Sequence, residues 1–288
     1  MSLPIVRLPR RVRGAEAKAG EGAVQQAQRQ ASGLASPPPL GVYVHLPWCL
    51  RKCPYCDFNS HVHEGELPEA RYLDALRADL ESSLPLVWGR TVHSVFIGGG
   101  TPSLFSPEGI DRLLCDLRAC LRLAADAEIT LEANPGTFER MRFRAFRDAG
   151  INRLSLGVQS FNDQALHRLG RVHDRAQALA AAQAAREDFP TFNLDLMVAL
   201  PDQSPGSLMA DLDQALAFDP PHLSVYQLTL EPNTLFAAQP PAGLPDEDAA
   251  ADLHEAALER LAGTGLDRYE VSAFARAGHR ARHNLNYW

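Results

Sequence analysis

From Gly41 onward the chain alternates between two patterns. Short runs rich in β-branched and aromatic residues are followed by longer stretches whose apolar positions recur every three or four residues. The strand-like runs are VYVHL (42–46), SVFIGG (94–99), EITLEAN (128–134), RLSLGVQ (153–159), FNLDLMV (192–198) and HLSVYQLTL (222–230). Helical patterns lie between them at 68–84, 107–123, 139–150, 174–187 and 207–218. Strands and helices alternating at this pitch build βαβ units and a parallel sheet. Six units fall short of the eight that close a barrel, so the expected fold is α/β, a partial (β/α)6 TIM-like barrel. In such folds the chemistry sits at the C-terminal ends of the strands.

Residues 1–40 break this pattern. They are rich in Ala, Gly, Gln and Arg, and end in the proline run SPPPL. Arg7, Arg10, Arg11, Arg13, Lys18 and Arg29 face only Glu16 and Glu21. This composition predicts a disordered basic tail and a stiff linker, followed by a core over 41–240 and a last segment over 241–288. The arginines also admit a transit peptide, but the acidic residues and scarce serine argue against it. The net charge of -7 over 288 residues speaks against a nucleic-acid-binding body. No run of 18 apolar residues predicts a transmembrane segment, and the N-terminus lacks the apolar stretch of a secretory signal. A cytoplasmic location is expected, with any membrane contact made at the inner membrane through protein partners.

Five cysteines, three of them within CLRKCPYC at 49–56, do not resemble a secreted disulfide framework. Cys49, Cys53 and Cys56 directly follow the first strand. A structural zinc site needs a fourth ligand, which His45, His61 or His63 could supply. A redox dithiol uses Cys53 and Cys56 alone. A [4Fe–4S] cluster on three thiolates leaves one iron open to a small molecule. Cys115 and Cys120 fall within a helical pattern and read as small apolar packing residues.

Polar and glycine residues gather at the other strand ends. GGGTPS follows the second strand, where Gly99, Gly100 and Thr101 allow close backbone approach to a ligand. Glu132 ends the third strand and Gln159 the fourth. Arg171 follows in LGRVHD, suited to a carboxylate. Asp195 lies in an otherwise apolar strand and needs a partner there.

The C-x3-C-x2-C spacing, with Tyr55 before the last cysteine, resembles the signature of the radical S-adenosylmethionine (SAM) superfamily. YVHLPWCLRKCPYCDFNSH, FIGGGTPS, LEANPGT, LSLGVQSFND, LGRVHD, NLDLMVALP and HLSVYQLTLEPNT together resemble its oxygen-independent coproporphyrinogen III oxidase group, from about residue 41 to 288. The resemblance implies a radical SAM barrel and cluster ligation by Cys49, Cys53 and Cys56, with SAM as ligand of the open iron. It implies SAM contacts from Tyr43, Tyr55, Gly99, Gly100, Thr101, Glu132, Gln159, Arg171 and Asp195. The oxidases carry a further cysteine two residues after the last cluster ligand, where this chain has Phe58. CPYCDFNSH is instead similar to the HemW-type heme chaperones, whose HNxxYW motif appears as His283, Asn284, Tyr287 and Trp288. That branch implies heme as cargo, with His283, Tyr287 and Trp288 as candidate heme residues, and membrane-bound cytochromes or other respiratory proteins as recipients. The alternative is radical decarboxylation of coproporphyrinogen III propionates. Members of the group continue into a mainly helical region, of which 241–288 is expected to be the incomplete start.

Overall fold

Each strand-like run forms a strand. The computed structural model describes residues 37–286. β1 (Leu40–Leu46) leads through two short strands, β2 (Trp48–Cys49) and β3 (His61–Val62), to α1 (Glu69–Val87). Then follow β4 (Thr91–Gly99), α2 (Pro107–Cys120), β5 (Arg122–Ala133), α3 (Thr137–Ala149) and β6 (Arg153–Gln159). After α4 (Asp163–Arg168) and α5 (Arg175–Asp188) come β7 (Thr191–Val198), α6 (Pro205–Leu216) and β8 (His222–Gln227). The chain continues through α7 (Leu235–Ala238), α8 (Glu247–Leu261), β9 (Asp267–Arg268), β10 (Ala273–Ala275) and α9 (Arg282–Leu285).

Local chemistry sets the helix starts. Asp174 and Gln177 close a capping box at α5, and Ser204 with Ser207 does so at α6, where Pro205 supplies the pre-set φ of a first turn. Ser106 accepts from the Gly109 amide at α2.

β1, β4, β5, β6, β7 and β8 pair in that order, all parallel. β10 then adds antiparallel to β8 and carries β9 as the far edge. β1 and β9 are the edges of this sheet, so the barrel is partial, a (β/α)6 arrangement that does not close. Leu46, Ile97, Leu131, Leu154, Leu156, Leu194 and Leu223 face the helices and build the main core with Phe143, Phe146 and Leu212. The alternate residues turn inward, and many of them are polar: Glu132, Ser155, Asn193, Asp195 and His222.

The expected basic tail, residues 1–36 of it, lies outside the described residues. The expected boundary at 240 does not coincide with a break in the sheet. Beyond it come α8 and two strands of the same sheet, so this segment is not helical throughout. Cys115 corrects the packing expectation: it is exposed. Ile110, Leu113, Leu114 and Leu117 define the buried stripe of α2, and residue 115 falls on its other side. Among the described residues no helix is long and apolar enough to cross a membrane.

Candidate functional site

The cysteine loop is pinned at both ends. Trp48 and Cys49 pair with His61 and Val62 as a two-stranded parallel ribbon, which closes the loop at its base. The Lys52 ammonium spans it, donating to the carbonyls of Phe58 (3.0 Å) and Ser60 (3.3 Å). At the tip, Pro54 accepts from the Phe236 amide at α7 (3.0 Å). The left-handed turn at Gly170 lies so close that an added Cβ would sit 2.8 Å from Pro54 Cδ. A second apolar cluster of Leu169, Met197, Leu200, Leu228 and Phe236 supports Tyr55 from beneath.

The glycines at the end of β4 hold this loop against the sheet. The Gly100 and Thr101 amides donate to the carbonyls of Leu46 (2.8 Å) and Trp48 (2.7 Å). An added Cβ on Gly100 would meet the Trp48 oxygen at 2.6 Å. The Gly99 amide donates to Glu132 Oε2 at 3.1 Å. The three N–H groups expected to face a ligand are therefore spent within the protein.

Cys49, Cys53, Tyr55, Cys56, Gly100, Thr101, Glu132, Gln159, Arg171 and Asp195 line one cavity of about 610 Å³. Tyr43 and Gly99 do not line it. Tyr43 stands at the open inner face, 48% exposed, and stacks on Phe96 and on His283. Gly99 acts through Glu132. His283 lies against Phe96, ring centroids 4.2 Å apart, on the inner face of β4 rather than at the cysteine loop. Tyr287 and Trp288 lie outside the described residues.

Among the described residues no three His, Cys, Asp or Glu side chains converge tightly enough for one metal ion. Two of the three zinc candidates are committed elsewhere: His45 Nε2 meets the Asn59 carbonyl and His63 Nε2 the Glu66 carbonyl, both at 2.8 Å. A cubane makes a different demand, because each thiolate binds its own iron.

Burial dominates the electrostatics of the site. Burial, then the neighbouring Asp195, push Glu132 up to about 7. Burial also raises Asp195, although the hydroxyls and amide around it oppose the shift. Burial raises the Cys49 thiol against hydrogen bonds from Thr101 and Ser60. Arg171 Nη2 donates to Asn134 Oδ1 (2.6 Å) and the Gly157 carbonyl (2.7 Å), while Nη1 reaches Cys53 Sγ at 3.7 Å. Its Nε is buried without a partner. Gln159, at φ 68, turns its side chain inward and accepts from the Tyr226 hydroxyl.

Sequence reasoning missed Asn134, Ser155 and Tyr226. Asn134 bridges Thr101 Oγ1 (3.0 Å) and Arg171. The signal was available: each lies an even number of residues from another inward-facing residue of its strand, namely Glu132, Gln159 and His222.

Comparison with known proteins places this geometry. The Radical SAM superfamily model matches residues 43–215. The heme chaperone HemW of Escherichia coli (strain K12) is 53% identical over 252 residues, covering 87% of this chain and 66% of the relative. HemW of Haemophilus influenzae is 50% identical over 256 residues, covering 87% and 67%. Among solved structures, that of the coproporphyrinogen III oxidase HemN from Escherichia coli, described as a radical SAM enzyme, superposes with a TM-score of 0.78 at 34% identity. It covers 88% of this chain and 59% of the other. The chain thus spans about two thirds of the relatives it matches. With the superfamily's motifs lining one cavity at the strand ends, and its family model covering more than half the sequence, this chain belongs to the radical SAM superfamily.

Proposed function

We propose that the chain carries the radical SAM core of a heme chaperone. Cys49, Cys53 and Cys56 hold a [4Fe–4S] cluster, SAM occupies the adjoining cavity, heme is the cargo, and respiratory-chain proteins such as membrane-bound cytochromes receive it. Superfamily membership implies the cluster and SAM, and the residues fit both. Three thiols on one pinned loop suit a cubane with one open iron. Glu132 and Asp195 suit the cationic groups of SAM, and the unpartnered Nε of buried Arg171 suits its carboxylate. Bound together, cluster and SAM supply one-electron chemistry at the sulfonium. The protein's own part is to orient: Asn134 fixes Arg171, Gly99 fixes Glu132, and Tyr226 fixes Gln159.

The observation that carries the chaperone reading is Phe58. It stands on the cavity rim, 59% exposed, at the position where the related oxidases carry a further thiol. Relatives named as heme chaperones, at 53% and 50% identity, support the same reading. The likeness to the oxidase structure supports a second: radical decarboxylation of coproporphyrinogen III.

Anaerobic reconstitution with iron and sulfide, then titration with heme and separately with coproporphyrinogen III, SAM and a reductant, separates the two. The chaperone reading expects stoichiometric heme with a shifted Soret band and intact porphyrinogen. Formation of protoporphyrinogen overturns it. Alanine at Cys49, Cys53 or Cys56 is expected to abolish iron loading, and Cys115→Ala to leave it unchanged.

A further inference from the structure

Residues 276–285 form a strap beneath the cavity, from the β8–β10 side of the sheet to β4 and β5. The Arg276 amide donates to the Pro221 carbonyl (3.0 Å) at its start. The His279 carbonyl accepts from Arg153 (3.1 Å). At its end the Arg282 amide donates to Glu128 (2.8 Å), its guanidinium meets Asp126 (2.8 Å), and the His283 ring lies on Phe96.

A chain of hydrogen bonds leads from this strap to Asp195, and its direction follows from one backbone amide. The Ala281 N–H can only donate, and it donates to the Tyr269 hydroxyl oxygen at 3.1 Å. Asn284 Nδ2 donates to the same oxygen at 3.1 Å. Both acceptor positions of the phenol are then filled, so its proton points to its remaining partner, His222 Nε2, at 2.7 Å. That nitrogen is bare. Burial, helped by the Arg153 charge and by His279, holds His222 well below the usual imidazole range, so the ring is neutral and its proton sits on Nδ1. Nδ1 donates to Asn193 Oδ1 at 2.7 Å, where the Ser224 hydroxyl also donates (3.1 Å). The amide of Asn193 is thereby turned with its nitrogen toward Asp195 Oδ1 (2.6 Å) and Ser155 Oγ (2.9 Å). Ser155 donates in turn to Asp195 Oδ2 (3.3 Å).

We propose that Tyr269 and His222 are positioning residues for the cofactor pocket, forming a one-way relay that ties the placement of the strap to the orientation of the Asp195 carboxylate. Every proton in the relay points toward Asp195, so its carboxyl group is held as an acceptor in one rotamer, and Asn284 acts on it from three side chains away. This rests on the reading of Asp195 as a SAM contact. Tyr269 is not among the residues that line the cavity, whereas its neighbours Glu270 and Ser272 are, so the His222 tautomer is the readout that separates the relay from a shift of that lining.

The test combines SAM affinity of the cluster-loaded chain, by equilibrium dialysis, with the histidine tautomer read by ¹⁵N NMR. Wild type is expected to show His222 protonated on Nδ1. Tyr269→Phe is expected to weaken SAM binding about 3- to 10-fold, the effect of one hydrogen bond, and to mix the two tautomers. Asn284→Ala is expected to weaken it about 2-fold and leave the tautomer intact. An Nε2-protonated His222 in wild type overturns the relay. So does Tyr269→Phe with wild-type affinity while Asp195→Asn loses SAM. Unchanged affinity in Asp195→Asn removes the SAM assignment of Asp195 itself, and the relay's role in SAM binding with it. If Tyr269→Phe does not fold, the wild-type tautomer and Asn284→Ala decide the matter.

Discussion

Gly100→Ala places one methyl group in the seam between the cysteine loop and the sheet. Its Cβ would stand 2.6 Å from the Trp48 oxygen and 2.7 Å from both the carbonyl carbon and oxygen of Pro47. All three are backbone atoms, so no side-chain rotation relieves the contact, and the strand end and the loop must part by several tenths of an ångström. Overpacking of this kind costs about 1–3 kcal/mol. Two hydrogen bonds cross the same seam, Gly100 N to Leu46 O at 2.8 Å and Thr101 N to Trp48 O at 2.7 Å. Weakening them adds up to about 1 kcal/mol each. The expected loss is about 2–4 kcal/mol. Because Cys49 follows Trp48 directly, iron loading should fall with it. Urea unfolding at constant m-value measures the first effect, and iron content after anaerobic reconstitution the second. Gly206→Ala is the control: it lies in the first turn of α6 with the nearest atom 3.9 Å away, and should gain about 0.4–1 kcal/mol. A Gly100→Ala protein within about 0.5 kcal/mol of wild type and fully loaded with iron would refute the view that this glycine fixes the loop.

Two further outcomes test the electrostatics. Glu132 is held up to about 7 by burial and by Asp195, against 4.5 for the free group. Keeping it ionised therefore costs the folded state a penalty that appears as pH rises past 4.5, is complete above about 7, and is absent below 4.5. Glu132→Gln should stabilise the cofactor-free chain by on the order of 1–3 kcal/mol at pH 8, with the gain vanishing by pH 4. A gain that does not change with pH contradicts the assignment. At the bottom of the barrel, Arg153 is 2% exposed, has an unpartnered Nη2, and meets Glu128 only at 3.6 Å. Glu128→Ala should cost about 3 kcal/mol by stranding the buried cation, and adding Arg153→Met to it should recover most of that loss; a double variant as unstable as Glu128→Ala would contradict this.

The contrast between Cys115 and Cys56 shows what kind of information each stage carries. Both are cysteines in a short, partly apolar stretch. The spacing to Cys49 and Cys53 sets Cys56 apart, because ligand spacing is local and is read directly from the chain. For Cys115 only the 3.6-residue period was available, and the stripe it belongs to depends on which side of α2 meets the sheet. Likewise Glu132, Gln159 and Asp195 were legible because each ends or interrupts an apolar strand. Asn134 was passed over, since its role is a contact with Arg171 across 37 residues.

The sequence by itself determined the six βα units, the parallel order that follows from them, the three-cysteine loop and the strand-end residues. Periodicity, capping and ligand spacing act over a few residues and need no partner. Only the tertiary structure decided how those residues are used. It spends the amides of Gly99, Gly100 and Thr101 on the protein itself, turns Tyr43 toward His283, and leaves Arg171, which lines the cavity, with one buried unpartnered nitrogen. It also brings residues 281 and 284 to the Tyr269 hydroxyl, from which they act on Asp195. Those outcomes depend on which inward-facing side chains meet across strands far apart in the chain, and the fold sets that by closing the sheet part of the way around one polar interior.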